Sequence, residues 1–306
     1  MRKNVLKVST TGIALAAAAG IAMAAGSANA AEWGSTFLSV NEIRYLDNFA
    51  NDQQNAAIRE SDVRASTRND FYATGRYEGN VLVRVGGRLQ YFQFFERTDQ
   101  DNLLIGAYGS VAKRFDNGIF ARVRYAADYR RKDGVDQYIE NGISPSINYL
   151  GSRSYRVGLN TNFAYRDFDN QNFPGLDQTR ASVSGFAFWY PFQDTTFLYA
   201  SSGYQRVNAD NSAQSTDLWW IGARFGYSFT PEFKALLRAR YSDKDFDSGR
   251  ADEIMELFGR VDYEFTKSVT GFAEAGVVDQ QSNIATQDFT GPQVAVGVRL
   301  LFNSGK

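Results

Sequence analysis

The chain has 306 residues, 22% of them charged, with a formal net charge of −1, 0 Cys and 0 His. These values exclude disulfides, thiolate chemistry and a lipid-modified N-terminal cysteine. They also remove the side chain that titrates near neutral pH, on which acid–base hydrolysis commonly depends, and they show no basic excess that would argue for nucleic acid as a partner.

The N-terminus reads as a secretory signal over residues 1–30. Arg2, Lys3 and Lys7 make a basic start, residues 13–25 are apolar and alanine-rich, and Ala28-Asn29-Ala30 supplies a small-x-small cleavage pattern. The mature chain is expected to begin at Ala31. Its net charge would be near −4, because the signal removes three basic residues and no acid. No later segment approaches the roughly eighteen consecutive apolar residues of a spanning helix.

Beyond the signal, 24 Phe and 17 Tyr stand against 5 Pro, and apolar and polar residues alternate in a long series of segments. Residues 36–46, 62–78, 81–97, 103–115, 119–130, 142–149 and 154–168 read as strands, followed by 179–190, 195–207, 217–229, 233–245, 253–265, 269–279 and 290–302. That makes about fourteen, an even number as single-chain outer-membrane barrels require. After even-numbered strands the links are tight, as at Gly79-Asn80, Asp116-Asn117-Gly118 and Thr230-Pro231-Glu232. After odd-numbered strands they are mostly longer and polar, as at 47–61, 131–141, 169–178, 209–216 and 280–288. This parity predicts one all-β domain over 31–306, a transmembrane antiparallel up-and-down β-barrel. It would be integral to the outer membrane, with both termini periplasmic and the polar loops outside. A β-sandwich would need its bulky apolar faces turned to a shared interior, whereas here the apolar face is a band of Val, Leu, Ala, Gly and aromatics opposite a charged one.

Aromatic residues beside the tight turns predict a headgroup girdle: Phe115, Phe120, Tyr149, Tyr155, Tyr190, Phe197, Tyr227, Phe229, Phe233, Tyr263 and Phe265. The last strand, through Leu300-Leu301-Phe302, resembles the C-terminal strand that barrel-assembly machinery recognises, although Asn303-Ser304-Gly305-Lys306 follow its aromatic residue.

A period of two splits each strand into faces, and a midplane Arg or Lys on lipid costs about 2–4 kcal/mol, so the charged faces must point inward. The predicted pore-lining residues are Arg68, Arg88, Arg124, Arg156, Arg224, Arg238, Arg240, Arg260 and Arg299, within a larger inward set that includes Arg64, Arg76, Arg84, Arg122 and Arg166. Asp70 is expected to pair with Arg88, and Glu274 with Arg260, across their hairpins. The hairpin at Pro231 instead sets Arg224 beside Arg238. Rings of Arg bias a pore toward anions, against the alternative that the arginines pack the wall and pair with nearby acids. Inward rings around Phe186–Tyr190 and Trp219-Trp220 are read as filler before a sugar-stacking track, and loop 47–61 as a solvated outer loop before a gate.

No phosphate-binding glycine loop, GxSxG or metal-ligand cluster is found in the sequence. The outer-membrane barrel enzymes (the phospholipase, the lipid A deacylases, the palmitoyltransferase and the omptin proteases) use a histidine, so no enzyme, cofactor or metal is expected. In length and strand count the chain resembles the monomeric fourteen-stranded general porins of enteric outer membranes. The resemblance is architectural and implies a monomeric pore for small solutes. The expected function is passive diffusion, biased to anionic or oligosaccharide solutes. The expected partners are outer-membrane lipid and lipopolysaccharide, and the assembly machinery during biogenesis. The alternative is a closed barrel that acts as a structural, adhesion or assembly partner through its outer loops. An export barrel would be a third, but no periplasmic domain precedes the first strand.

Overall fold

The computed structural model describes residues 32–49, 60–151, 154–169, 171–172, 175–192 and 195–304. The signal reading over 1–30 and the middle of the expected first loop lie outside them. Fourteen antiparallel strands close into one barrel in sequence order, with β1 pairing β14. They are β1 (Glu32–Phe49), β2 (Glu60–Tyr77), β3 (Val81–Phe94), β4 (Asn102–Arg114), β5 (Ile119–Lys132), β6 (Val135–Leu150) and β7 (Tyr155–Phe168). The remainder are β8 (Gln178–Phe192), β9 (Thr196–Ala209), β10 (Thr216–Ser228), β11 (Phe233–Phe246), β12 (Ala251–Thr266), β13 (Val269–Ser282) and β14 (Phe289–Ser304). Closure leaves no unpaired strand edge, the condition for spanning hydrocarbon with strands.

The strands exceed the 9–11 residues that a bilayer requires, and their extensions make a rim at the loop end. That rim explains the main departure from the sequence reading. Residues 131–141 are not a loop. β5 and β6 continue to a two-residue hairpin at Asp133-Gly134, both with positive φ (49° and 71°), the geometry for which Asp-Gly is the preferred pair. Outside the lipid a strand needs no apolar face, so its polar sequence resembles a loop. The β11–β12 connection, residues 247–250, is likewise short. At the opposite end the turns made wholly of described residues are tight, and Gly79 and Asn80 take positive φ of 70° and 60°.

Most large apolar residues stay exposed on the outer wall, as expected when lipid replaces a packed core. Leu159, Ile221, Leu237 and Val296 are 46%, 56%, 50% and 54% accessible. The outer wall breaks this pattern midway along β1 and β2. There Asn69 donates to Thr67, Thr67 to Asn41 (2.8 Å), and Asn41 to Ser39 (3.1 Å). The four side chains partner one another, which lowers the cost of polar groups facing hydrocarbon.

Of the predicted girdle, Phe115, Tyr149, Tyr155, Tyr227, Phe229, Tyr263 and Phe265 are exposed. Phe120 instead shares the face of Arg122 and Arg124. Tyr190 and Phe197 belong to an inner cluster around Phe188, whose ring centroid is 6.1 Å from Tyr190, 6.3 Å from Phe197 and 4.5 Å from Tyr199. Their strand parity, rather than nearness to a turn, decides the face. The rings pack on one another, consistent with filling the wall.

Candidate functional site: the inner face of the barrel

A cavity of about 800 Å³ at the loop end is lined by residues from β3 to β13, among them Arg130 on β5, Arg166 on β7, Gln205 on β9, Arg240 on β11 and Gln280 on β13. Only the interior can be shared by strands so far apart, so these residues identify the inner face of β3 to β13; register carries it to β1, β2 and β14, and alternation carries it along each strand. Seven cationic side chains line this vestibule (Arg130, Lys132, Arg166, Arg180, Arg240, Lys244 and Arg250) against the acids Glu140, Asp252 and Glu256. The excess is positive. Arg130, Lys132, Arg180 and Lys244 were not singled out from sequence because they sit near strand ends, where outer residues turn polar and the alternation loses contrast, and Arg250 because it lies in the link before β12.

By the same parity, Arg68, Arg88, Arg124, Arg156, Arg224, Arg238, Arg240, Arg260 and Arg299 all share the inner face, as do Asp70 and Glu274. The hairpin registers match the expected ones: Asp70 opposite Arg88, Arg260 opposite Glu274, and Arg224 opposite Arg238. The two expected ion pairs nevertheless do not form. Asp70 accepts a hydrogen bond from the Tyr108 hydroxyl at 2.6 Å. Arg88 reaches past β4 to Asp128 on β5, with Nε 2.7 Å from Oδ1. Between them on β4 lies Gly106, where any Cβ would collide with the Asp128 carboxylate. The missing side chain lets residues two strands apart meet. Glu274 instead binds Arg44 at 2.7 Å, and Arg260 binds Asp262 at 2.6 Å, with Arg299 3.7 Å from the same carboxylate.

The remaining predicted arginines, Arg68, Arg124, Arg156, Arg224, Arg238 and Arg240, have no ion pair among the described residues. Several lie over rings. Arg124 sits 4.1 Å from the Tyr108 centroid, Arg156 5.4 Å from Phe186 and Arg240 5.5 Å from Trp220. An aromatic face holds a guanidinium without neutralising it, so the charge stays available to the lumen. Elsewhere pairing is dense. Glu140 bridges Arg166 (2.6 Å) and Arg180, and Arg44 lies between Glu42 (2.9 Å) and Glu274.

Residues 161–302 match the family model described as "Putative beta-barrel porin 2". No curated protein matches the sequence. Among solved structures, the outer-membrane expressed OmpT of Vibrio cholerae is similar, with a TM-score of 0.54 at 9% identity, over 90% of this chain and 99% of that one. An anion-selective porin from Comamonas acidovorans has a TM-score of 0.54 at 10% identity, over 89% of this chain and 100% of the other. At such identities the likeness is one of fold. The chain is a closed β-barrel with a porin-like fold, and its residues 161–302 carry the sequence pattern of a porin family.

Proposed function

We propose that the barrel is a passive, non-catalytic channel for small solutes, biased toward anions by its inner arginines. In this reading both termini lie in the periplasm, the rim strands and polar loops face outward, and residues 1–30 are removed on export. The observation that carries the proposal is the run of inner arginines without carboxylate partners, Arg68, Arg124, Arg156, Arg224, Arg238 and Arg240, below a vestibule with excess positive charge. Arginines that braced the wall through ion pairs would meet carboxylates, as Arg44 and Arg166 do, whereas a ring contact leaves the charge in place. Rings of arginine lower the barrier for anions over cations. The fold shared with an anion-selective porin supports the same direction.

The test is conductance of the refolded barrel in a planar bilayer under a salt gradient. Discrete steps whose reversal potential favours chloride are expected. A folded barrel that inserts but gives no steps would refute the channel and favour a closed barrel acting through its loops. Steps favouring potassium would refute the anion bias.

A further inference from the structure

The inner wall of β5–β7 carries a feature that general anion preference does not need. A niche of about 240 Å³ opens beside Arg122 and Arg124 and is lined by Ser144, Ser146, Asn160 and Asn162, with serines of β8 beyond. Register aligns these groups in rows. Arg122 faces Ser146 and Ser146 faces Asn160, while Arg124 faces Ser144. The ladder between β6 and β7 is interrupted here, because Pro145 has no N–H to donate, and paired residues resume only at Ile143–Phe163 and Ser146–Asn160.

The niche holds an unusual concentration of unsatisfied polar groups. Nε of Arg122 and of Arg124 donate no hydrogen bond within the protein, Oδ1 of Asn162 accepts none, and Oγ of Ser146 makes none, although all four are buried. Orphaned buried polar atoms are uncommon, and each costs about 1–3 kcal/mol. No acid lines the niche. The acids whose charge reaches Arg124 are Asp70 and Asp128, and both are engaged, with Tyr108 and Arg88. Arg122 instead sits among Arg124, Arg84 and Arg156, a gathering of like charge that an anion would relieve.

Resting on the channel reading, we infer that this niche is a binding site for a hydroxylated organic oxyanion such as a sugar phosphate or sugar acid. The guanidinium groups supply donors for the oxyanion. The Ser146 hydroxyl and the Asn162 carbonyl supply a donor–acceptor and an acceptor for solute hydroxyls, which a simple halide cannot use. A ligand that satisfies both kinds of group repays the most orphaned atoms. The site lies on the turn side of the vestibule, so a solute drawn in by the loop-end cations would meet it on the way through.

The test is titration calorimetry of the full barrel, folded in detergent, with glucose 6-phosphate and with inorganic phosphate. Saturable binding is expected, tighter for glucose 6-phosphate. Arg122→Gln with Arg124→Gln should weaken both at least tenfold, and Lys267→Gln, which removes a charge at a turn, should change neither. Ser146→Ala should weaken glucose 6-phosphate several-fold while sparing inorganic phosphate. Where the double variant does not fold, Arg122→Gln alone carries the comparison. Absence of saturable binding, or equal loss in Lys267→Gln, overturns the site. Equal affinity for the two probes, unaltered by Ser146→Ala, overturns the hydroxylated ligand. Conductance separates the two readings. A barrel that conducts without binding removes the site alone, and one that binds without conducting removes the channel alone.

Discussion

Arg224 and Arg238 face each other across the β10–β11 hairpin, yet their guanidinium groups turn away in opposite directions. Arg224 settles 5.3 Å from the Tyr199 ring on β9 and Arg238 4.6 Å from the Phe258 ring on β12. A like-charge pair directly opposed in a sheet is destabilising, and no carboxylate relieves it here. Two flanking aromatic faces do, at about 0.5–1 kcal/mol each for a partly exposed contact, and both charges remain unneutralised on the inner face.

Replacing both with serine should therefore weaken anion selectivity without preventing folding, because the rings keep their places in the wall. Reversal potentials in a potassium chloride gradient should move toward the non-selective value. An unchanged potential would mean that these two arginines do not influence the ion path.

Asp128 bears on selectivity in the opposite direction. It neutralises Arg88 across Gly106, so Asp128→Asn should release that charge and strengthen the preference for chloride. Gly106→Ala should have the same sign, since its Cβ displaces the carboxylate. Combining the two changes should add little, because both break one contact. A full additive effect would show that the bridge over β4 is not the unit that matters.

On the outer wall, Leu159 and Ala223 belong to the exposed apolar face of β7 and β10. Arginine at either position should cost about 2–4 kcal/mol near the midplane and lower the yield of heat-modifiable barrel on electrophoresis. Heat-stable insertion of both variants would mean that the faces have been assigned the wrong way round.

The loop between β3 and β4 depends on a buried carboxylate. Asp62, 2% accessible, accepts backbone N–H groups from Phe95 (3.2 Å), Glu96 (3.1 Å) and Arg97 (2.9 Å). Asp62→Ala leaves these donors without that acceptor and should raise hydrogen exchange across residues 95–97 by tenfold or more while the barrel stays folded. Unchanged exchange would assign the order of this loop to its other contacts.

The same loop carries a local acid response. The hydrogen bond from Arg97 holds the Asp99 carboxyl below the ordinary aspartate value of 3.8. A depressed folded-state pKa stabilises the contact above the ordinary value and loses it as pH falls through the folded one. The Arg97–Asp99 contact should thus survive at pH 4 and release only in stronger acid. Chemical-shift titration of the Asp99 carboxyl would check this, and a midpoint above 4 would contradict it.

Alternation in the sequence was enough for the strand count, the registers of the hairpins at the tight turns and the shared face of the mid-strand arginines, because a two-residue period and the cost of charge in lipid act locally. It could not separate the rim strands at Asp133-Gly134 from a loop, since beyond the hydrocarbon nothing enforces an apolar face. The choice of partners also needed the closed barrel. Arg88 meets Asp128 only because Gly106 leaves a gap on the strand between them, and Glu274 meets Arg44 only because β14 closes onto β1. The niche at Arg122 and Arg124 depends in the same way on β5, β6 and β7 lying side by side. Its orphaned atoms are a property of what the neighbours fail to supply, and that can be read only once every neighbour is in place.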